Sequence, residues 1–187
     1  MTTLAQAHGM PLATPTVTDV YRAHRDFVWA SLQRMGVRDA DLPDQFQEVF
    51  IVVHRRLDSF EGRSAMTTWL FGICLRVAAG YRRKGCNKRE VCISDDELSR
   101  RESPALGPEQ RASQQESRAL AQRVLDAMDI AKRAVLVMFE IEELSCEEIS
   151  RSLGVPVGTV YSRLHAARAQ FESLHQSFEP RTERRTR

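Results

Sequence analysis

The residues best suited to specific chemistry lie between Glu147 and Leu164, where a helical pattern stops at Gly154 and resumes after Pro156. After Pro156, one side of the helical pattern carries small, polar and basic side chains. Such side chains hydrogen-bond to base edges and phosphates when a helix lies in the major groove of DNA. The spacing therefore predicts a helix-turn-helix whose outward face consists of Gly158, Thr159, Ser162, Arg163, His165 and Ala166.

The opposite side of this helix must pack on a protein core. Apolar residues recur there at spacings of three, four or seven, which predicts a buried stripe. The stripe consists of Val157, Val160, Leu164, Ala167 and Phe171. In the preceding helix Ile149 and Leu153 lie one turn apart, and Gly154 can adopt the left-handed conformation that ends a helix. An ordinary helical hairpin with a solvated face fits the same pattern.

A second candidate for nucleic-acid binding is an excess of positive charge in the N-terminal half. The formal net charge is only +2, but residues 18–89 contain 13 Lys and Arg against 8 Asp and Glu. Residues 76–89 contain six basic residues and no acidic residue. A local positive field of this kind attracts a polyanion, although a solvated helix end has a similar composition.

Upstream of this basic stretch, the helix predicted to begin near Asp44 has two different faces. Its core stripe consists of Phe46, Val49, Phe50, Val53 and Leu57. The opposite face mixes charge with two β-branched apolar residues and consists of Gln47, Glu48, Ile51, Val52 and Arg55. Exposed apolar groups beside charge are typical of a partner surface. The alternative is that this face packs under the N-terminal helix, predicted from Asp19 to Met35.

The loop Ser59–Ala65 contains groups that can hold an unstacked base. Phe60 supplies an aromatic ring, Gly62 permits close approach of the backbone, and Arg63 and Ser64 supply polar groups. Ser64 is also predicted to cap a third helix. The buried face of that helix consists of Trp69, Leu70, Ile73, Cys74, Val77 and Tyr81. The alternative is a surface turn between two core helices, with Phe60 as its hydrophobic plug.

The sequence contains no segment with strand periodicity and no internal repeat, so the predicted fold class is all-α: two small helical domains joined by a flexible linker. The linker is predicted over residues 90–114. Helical periodicity is lost between Glu90 and Ser117, where seven acidic residues outnumber three basic ones. Residues 1–17 are predicted to be a disordered leader, and residues 176–187 a basic tail.

Composition argues against several classes of function. No apolar run is long enough for a signal peptide or a membrane span, which predicts a cytoplasmic protein without membrane insertion. The four cysteines lack the spacing of a metal site, so we predict reduced thiols at Cys74, Cys86, Cys92 and Cys146. The chain has no phosphate-binding loop and no nucleophile motif. We therefore predict that the protein is not an enzyme and has no cofactor.

Three motifs in a fixed order cover most of residues 18–172. They are Asp44–Phe50, Arg56–Ser64 running into Thr68–Leu70, and Gly158–Leu164. Together they resemble the bacterial RNA polymerase sigma factors of the small extracytoplasmic-function class. The resemblance implies that residues 18–89 correspond to sigma region 2 and residues 115–175 to region 4. It also implies a protein that binds core polymerase, directs it to promoters and helps to melt the duplex.

The resemblance further implies which residues contact each partner. The clamp helices of the largest polymerase subunit would contact Asp44, Gln47, Glu48, Ile51, Val52 and Arg55. The downstream promoter element would contact Phe60, Glu61, Gly62, Arg63, Ser64, Ala65, Trp69, Arg76, Arg82, Arg83 and Lys84. The upstream element would contact Gly158, Thr159, Tyr161, Ser162, Arg163, His165, Ala166 and Arg168. An anti-sigma protein is a further implied partner, around which the linker would let the domains close; an inert tether is the alternative.

Three positions depart from the family pattern. Tyr161 replaces a basic residue, and Ala166 replaces an arginine that many relatives carry. Each lost phosphate contact flattens the salt dependence of DNA binding by about one unit of slope. Asp129 stands where relatives often have proline, which leaves a helix boundary undecided. The alternative function is a freestanding helix-turn-helix repressor or activator, which would leave the two N-terminal motifs unexplained.

Overall fold

A computed structural model describes residues 15–87 and 108–179, and within these stretches every regular element is helical. The all-α fold class is confirmed. The α-helices are α1 Val17–Arg34, α2 Leu42–Arg56, α3 Met66–Asn87, α4 Pro108–Ala127, α5 Ile130–Glu140, α6 Cys146–Leu153 and α7 Val157–Phe178. The predictions for residues 1–14, 88–107 and 180–187 lie outside the described residues.

Helices α1, α2 and α3 pack against one another and form an N-terminal unit. Thr16 begins α1 with a capping box, in which its hydroxyl accepts from the Asp19 amide and the Asp19 carboxylate accepts from the Thr16 amide. The predicted stripe of α2 is confirmed at Val49 and Val53, which are fully buried. The two phenylalanines of that stripe are half-buried, because α1 covers only part of them.

The structure refines one predicted helix start in this unit and corrects another. Helix α2 begins at Leu42, because Pro43 occupies its first turn, where a missing amide hydrogen breaks no helical bond. Helix α3 begins at Met66, and its first helical bond runs from the Trp69 amide to the Ala65 carbonyl, at 3.1 Å. Ser64 therefore lies one residue too early to be the cap.

Helices α4 to α7 form a C-terminal unit in which α7 packs against the other three. Asp129 settles the undecided boundary, since its carboxylate accepts from the amides of Ala131 and Lys132 and caps α5. Pro108 begins α4 rather than preventing it, so residues 108–114 are helical although they were predicted as linker.

At its other end the C-terminal unit also departs from prediction. Helix α7 runs to Phe178, into the predicted tail, because the Phe178 ring packs under the guanidinium of Arg123 on α4. Helix α5 stops at Glu140, and Glu143 lies in a turn with a φ of 54°.

The two units are in contact. Helix α1 touches α4, and α3 touches α6. Buried apolar side chains from both units belong to one cluster. The contact places the end of α1 beside the first two helices of the C-terminal unit.

Candidate nucleic-acid interface

The turn between α6 and α7 has the geometry of a helix-turn-helix. Gly154 ends α6 in the left-handed conformation, with a φ of 66°, as predicted. The hydroxyl of Ser150 donates to the Val155 carbonyl at 2.6 Å and holds the turn. Pro156 precedes α7, and its carbonyl accepts from the amides of Thr159 and Val160. These bonds fix the direction in which α7 leaves the turn.

The buried side of α7 is mostly as predicted. Val160, Leu164 and Ala167 are buried, and Phe171 is half-buried. Val157 is 38% exposed, so its prediction as a core residue is wrong. As the first residue of α7, it extends past the edge of the core beneath the helix. The other buried residues anchor α7 against α5, α4 and α6.

The outward arc of α7 is open but uneven. Gly158, Ser162 and His165 are exposed, whereas Thr159, Arg163 and Ala166 are half-buried. Ser162 turns its hydroxyl back to the Thr159 carbonyl, at 3.0 Å. The arc therefore offers a shallow surface with Arg163 at its centre.

Tyr161 is the most exposed of the large apolar side chains in the described residues, at 56%. Its hydroxyl lies near the start of α6, where the carboxylate of Glu147 and then Cys146 raise its pKa. At this position α7 thus presents an exposed aromatic group near the start of α6.

Arg168 lies apart from the open arc. Its guanidinium binds the Glu140 carboxylate, with Nε 2.8 Å and Nη2 2.7 Å from Oε1, and lies 5.1 Å from the centre of the Phe139 ring. This arrangement ties α7 to the end of α5. It favours the packing role for Arg168 over a phosphate contact.

The loop before α3 is anchored by Phe60 and has an exposed tip. Phe60 is half-buried, and its ring centre lies 5.2 Å from that of Trp69. Residues 61–65 are all exposed, and Arg63 pairs with Glu61. Gly62 has a φ of 67° and open space around it. Phe60 thus packs as the hydrophobic plug that was expected if the loop is a surface turn between two core helices. The exposed tip of the loop remains open to a ligand.

The basic side of α3 is held in place by a cluster that the sequence did not reveal. The Tyr81 hydroxyl donates to Asp41 at 2.6 Å and accepts from Arg38 Nε at 2.9 Å. Burial and then Asp41 raise the pKa of Tyr81. The cluster joins α3 to the turn before α2. Of the predicted phosphate-binding residues nearby, Arg76, Arg83 and Lys84 are exposed and Arg82 is half-buried.

The outer face of α2 borders a shallow groove of about 320 Å³. Ile51 is 37% exposed there, and Val52 is half-buried. At this exposure Ile51 is not packed beneath α1, so that alternative is wrong for Ile51. The groove is lined by Val17, Gln47, Phe50, Ile51, His54 and Arg55.

Sequence reasoning missed an exposed aromatic residue of α1 beside this groove. Tyr21 is 41% exposed, and its ring packs edge-on against Phe46 and Phe50, with centres 6.0 and 5.0 Å apart. The periodicity of α1 gave no signal for Tyr21, because it lies beside the buried stripe of α1.

The described residues contain no group of three or more His, Cys, Asp or Glu side chains placed to hold a metal ion. Cys74 and Cys146 are free and buried, and burial raises the pKa of Cys74 to about 12. The side chain of Cys86 and the whole of Cys92 lie outside the described part of the chain. No helix in that part is long and apolar enough to cross a membrane.

Comparison with known proteins places both units in one family. The profile described as Sigma-70 region 2 matches residues 20–87, and the profile described as Sigma-70, region 4 matches residues 118–171. The ECF RNA polymerase sigma-E factor of Escherichia coli K12 is 34% identical over 155 residues, which cover 79% of this chain and 80% of that protein. The ECF RNA polymerase sigma factor SigE of Mycolicibacterium smegmatis is 33% identical over 170 residues, which cover 90% of this chain and 65% of that protein.

Solved structures share the fold at lower identity. RpoE from Bartonella quintana, in complex with the anti-sigma factor NepR, superposes with a TM-score of 0.65 and 17% identity, covering 87% of this chain and 98% of that one. CnrH, in complex with the cytosolic domain of CnrY, superposes with a TM-score of 0.59 and 23% identity, covering 87% and 88%. At these identities the superpositions establish the fold alone.

Proposed function

Since the chain belongs to the extracytoplasmic-function class of RNA polymerase sigma factors, it directs promoter-specific initiation, and we propose how its two helical units divide that work. The N-terminal unit holds core polymerase and the downstream promoter element. The C-terminal unit reads the upstream element. One observation carries the proposal: the helix-turn-helix leaves the outer arc of α7 open while Val160, Leu164 and Ala167 fix its inner side.

The polymerase-binding surface is proposed on the outer face of α2. Asp44, Gln47, Glu48 and Arg55 are exposed around Ile51, and the groove beside them is open. An apolar groove with a charged rim suits docking of a partner helix. Val52 contributes less direct contact, because it is half-buried. We add Val17 and Tyr21, which extend the same surface across α1.

The downstream element is proposed to bind the exposed tip of the loop before α3. Glu61, Gly62, Arg63, Ser64 and Ala65 form this tip. Phe60 and Trp69 brace it from below by packing against each other, so neither ring is the first contact for a base. Exposed cations on α3 then hold the phosphates of the displaced strand. These cations are Arg76, Arg83 and Lys84, joined by Arg82 at the edge of the unit.

The upstream element is proposed to lie against α7. Arg163 is the base-reading or phosphate-binding group, and Thr159, Ser162 and His165 set the fit of the helix in the groove. Gly158 and Ala166 allow close approach because they have little or no side chain. Tyr161 offers an apolar ring in place of a cation, which suits contact with a thymine methyl group.

We propose that the chain has no catalytic activity of its own, since phosphodiester chemistry remains with core polymerase. It acts in the cytoplasm, where polymerase and promoters are found. The solved complex of RpoE with the anti-sigma factor NepR supports, by analogy, a protein inhibitor for this chain too. Purification from uninduced cells without a stoichiometric small partner would count against such an inhibitor.

Reconstituted transcription tests the function. Genomic fragments are transcribed by purified core polymerase with and without the chain, and start sites are mapped. We expect new starts that share a pair of upstream elements. A freestanding repressor or activator would bind DNA without comigrating with core polymerase, and that result would overturn the proposal.

A double substitution tests the polymerase-binding surface within the same assay. Glu48→Lys with Ile51→Asp reverses a charge and places an anion on the apolar groove, so we expect binding to core polymerase to weaken at least tenfold, on the order of 1.4 kcal/mol. The helical circular dichroism signal should stay near wild type. Glu172→Lys, on an exposed position of α7, is the matched charge reversal and should leave core binding unchanged. Equal binding by the double variant and this control would contradict the assignment.

A further inference from the structure

Two large apolar side chains are exposed on the first turns of α7. Val157 is 38% exposed and Tyr161 is 56% exposed. They are two of the five large apolar side chains that are exposed within the described residues, and the other three lie on α1, on α2 and just after α5. Residues four apart in a helix lie on the same side, one turn above the other. The pair therefore forms a short apolar surface, which we call the Val157–Tyr161 strip.

The residues beside the strip leave it uncovered. Gly158 follows Val157, and the space that a Cβ atom at Gly158 would occupy is open. Ser162 follows Tyr161 and donates its hydroxyl to the Thr159 carbonyl at 3.0 Å. The nearest outward neighbours therefore offer either no side chain or a hydroxyl that is already hydrogen-bonded within the helix.

The one polar group of the strip lies at its edge. The Tyr161 hydroxyl is near the start of α6, where Glu147 and then Cys146 raise its pKa. The Tyr161 ring and the Val157 methyl groups are the remaining exposed parts of the two side chains. What the strip presents to a ligand is therefore mainly carbon.

The position of the strip in the helix-turn-helix limits what it can contact. Val157 is the first residue of α7, and Tyr161 lies one turn later. The N-terminal residues of such a helix contact base edges in the major groove. Most groups on those edges are donors or acceptors, and an apolar side chain would bury them without replacing their hydrogen bonds with water. The exception is a methyl group at C5 of a pyrimidine.

We propose that the Val157–Tyr161 strip reads the C5-methyl groups of pyrimidines in the upstream element. The inference rests on the proposed function, in which α7 lies against that element. Thymine always carries this methyl group, and 5-methylcytosine presents the same group at the same place in the major groove. Recognition of the promoter is therefore sensitive to methylation of a cytosine that the strip contacts.

Helical geometry sets the spacing of the methyl groups. The axial rise from Val157 to Tyr161 is about 6 Å, whereas successive base pairs are about 3.4 Å apart. The strip therefore contacts pyrimidines no more than about two base pairs apart. Arg163 lies about 200° around the helix from Tyr161, so its contact with the element is separate from that of the strip.

Replacement of single bases measures the methyl dependence. The promoter comes from the start-site mapping, and its binding to the full chain with core polymerase is measured by competition. Each upstream-element thymine is replaced in turn by deoxyuridine, which removes only the methyl group, and each cytosine by 5-methylcytosine, which adds one. At one or two positions we expect a roughly fourfold loss or gain of affinity, the size expected for one buried carbon.

A second arm separates the methyl group from the rest of the base. A thymine position that responds to deoxyuridine is rebuilt with cytosine and with 5-methylcytosine. The methylated cytosine should bind about fourfold more tightly than cytosine, by the same contact. Equal binding of the two would mean that thymine is read through another feature, and would overturn the inference.

Substitutions assign the methyl dependence to the strip. Tyr161→Ala and Val157→Ala should each abolish the methyl effect at one position, whereas Tyr161→Phe keeps the ring and should keep the effect. Ile141→Ala is the matched control, because it truncates another exposed apolar side chain of the same unit and should leave every methyl effect unchanged. A thermal melt of each variant confirms that it is folded.

Three results would contradict the inference while the wild-type chain still directs the mapped starts. The first is an upstream element without any methyl effect, and the second is a methyl effect that persists in both alanine variants. The third is loss of the effect in Tyr161→Phe, which would make the hydroxyl the reading group. In each case the proposed function would stand. Absence of new starts would instead overturn the proposed function and this inference together.

Discussion

The two units present their proposed DNA-binding residues in different ways. In the C-terminal unit these residues lie within 158–166 of one helix, whose inner side is fixed by its own buried stripe. In the N-terminal unit they are spread over a loop and the length of α3. That loop is braced by Phe60 on Trp69, and α3 by the hydrogen bond from Tyr81 to Asp41. One surface follows from helical periodicity, and the other depends on contacts between distant residues.

This difference bears on how each surface can change during evolution. On α7, an outward substitution alters a contact without disturbing the core, because Val160 and Leu164 hold the helix. Tyr161 occupies such an outward position, since its ring is more than half exposed. In the N-terminal unit the bracing residues are themselves half-buried, so substituting Trp69 or Tyr81 alters both the surface and the packing.

The largest expected effect comes from comparing two arginines of α7. Arg163→Ala should cost about 1–3 kcal/mol of binding to the upstream element, with relaxed discrimination at one base position, if Arg163 reads a base bidentately. Arg168→Ala should instead leave discrimination unchanged and lower the melting temperature, because Arg168 pairs with Glu140. Binding to a panel of single-base variants measures both. A uniform loss for Arg163→Ala would make it a phosphate anchor.

The sequence alone was sufficient to predict structural features that depend on a local repeating pattern. The helix-turn-helix, the αL turn at Gly154 and the stripe of α7 followed from spacing and from the conformational freedom of glycine. The prediction that Val157 is buried was wrong, because periodicity gives the direction of a side chain but not where the core beneath it ends. The start of α4 was missed because a proline can either break a helix or begin one, and only tertiary packing decides which.

Contacts between residues far apart in sequence could not be predicted. Asp41 and Tyr81 are 40 residues apart, and Gly36 and Arg133 are farther still. Spacing carries no signal for such pairs, and a lone arginine in a helix is expected at the surface. The burial of Arg133 is visible only when both units are in place.

An effect of intermediate size is expected from a substitution that removes the hydrogen bond between Tyr81 of α3 and Asp41. Tyr81→Phe removes the hydroxyl that donates to Asp41 and should lower the free energy of unfolding by about 1 kcal/mol. It should also weaken binding to the single-stranded downstream element, because α3 loses a fixed attachment to the turn before α2. Denaturant unfolding and strand binding measure the two effects. Tyr21→Phe is the control, because it removes the hydroxyl of an exposed tyrosine in the same unit whose ring packs edge-on against Phe46 and Phe50.

If strand binding by Tyr81→Phe equals that of the control, the basic side of α3 does not depend on the cluster. The N-terminal surface would then resemble α7, with geometry set by its own helix. The two units would then differ only in the loop before α3, whose position depends on the contact between Phe60 and Trp69.

The smallest expected effect compares two matching helix starts, one in each unit. Thr16 with Asp19 begins α1, and Ser145 with Glu148 begins α6. Hydrogen bonds from Thr16 lower the pKa of Asp19, and those from Ser145 lower the pKa of Glu148. A carboxylate whose pKa is lower in the folded state than in the unfolded chain adds stability above its unfolded pKa. That stability is lost as the pH falls through the folded value.

Both boxes should therefore stabilise their helices fully at neutral pH and weaken in acid, once the pH falls below the ordinary pKa of each carboxyl group. Ser145→Ala should return the pKa of Glu148 toward the ordinary value of a glutamate and reduce the acid dependence of α6, while Thr16→Ala should do the same for Asp19 and α1. Carboxyl chemical shifts in an NMR titration report each group separately. Because α6 has only eight residues and α1 has 18, we expect the same loss to unfold a larger part of the helix in α6. Equal fraying of the two helices in acid would show that packing against α7, rather than the cap, holds the first helix of the helix-turn-helix.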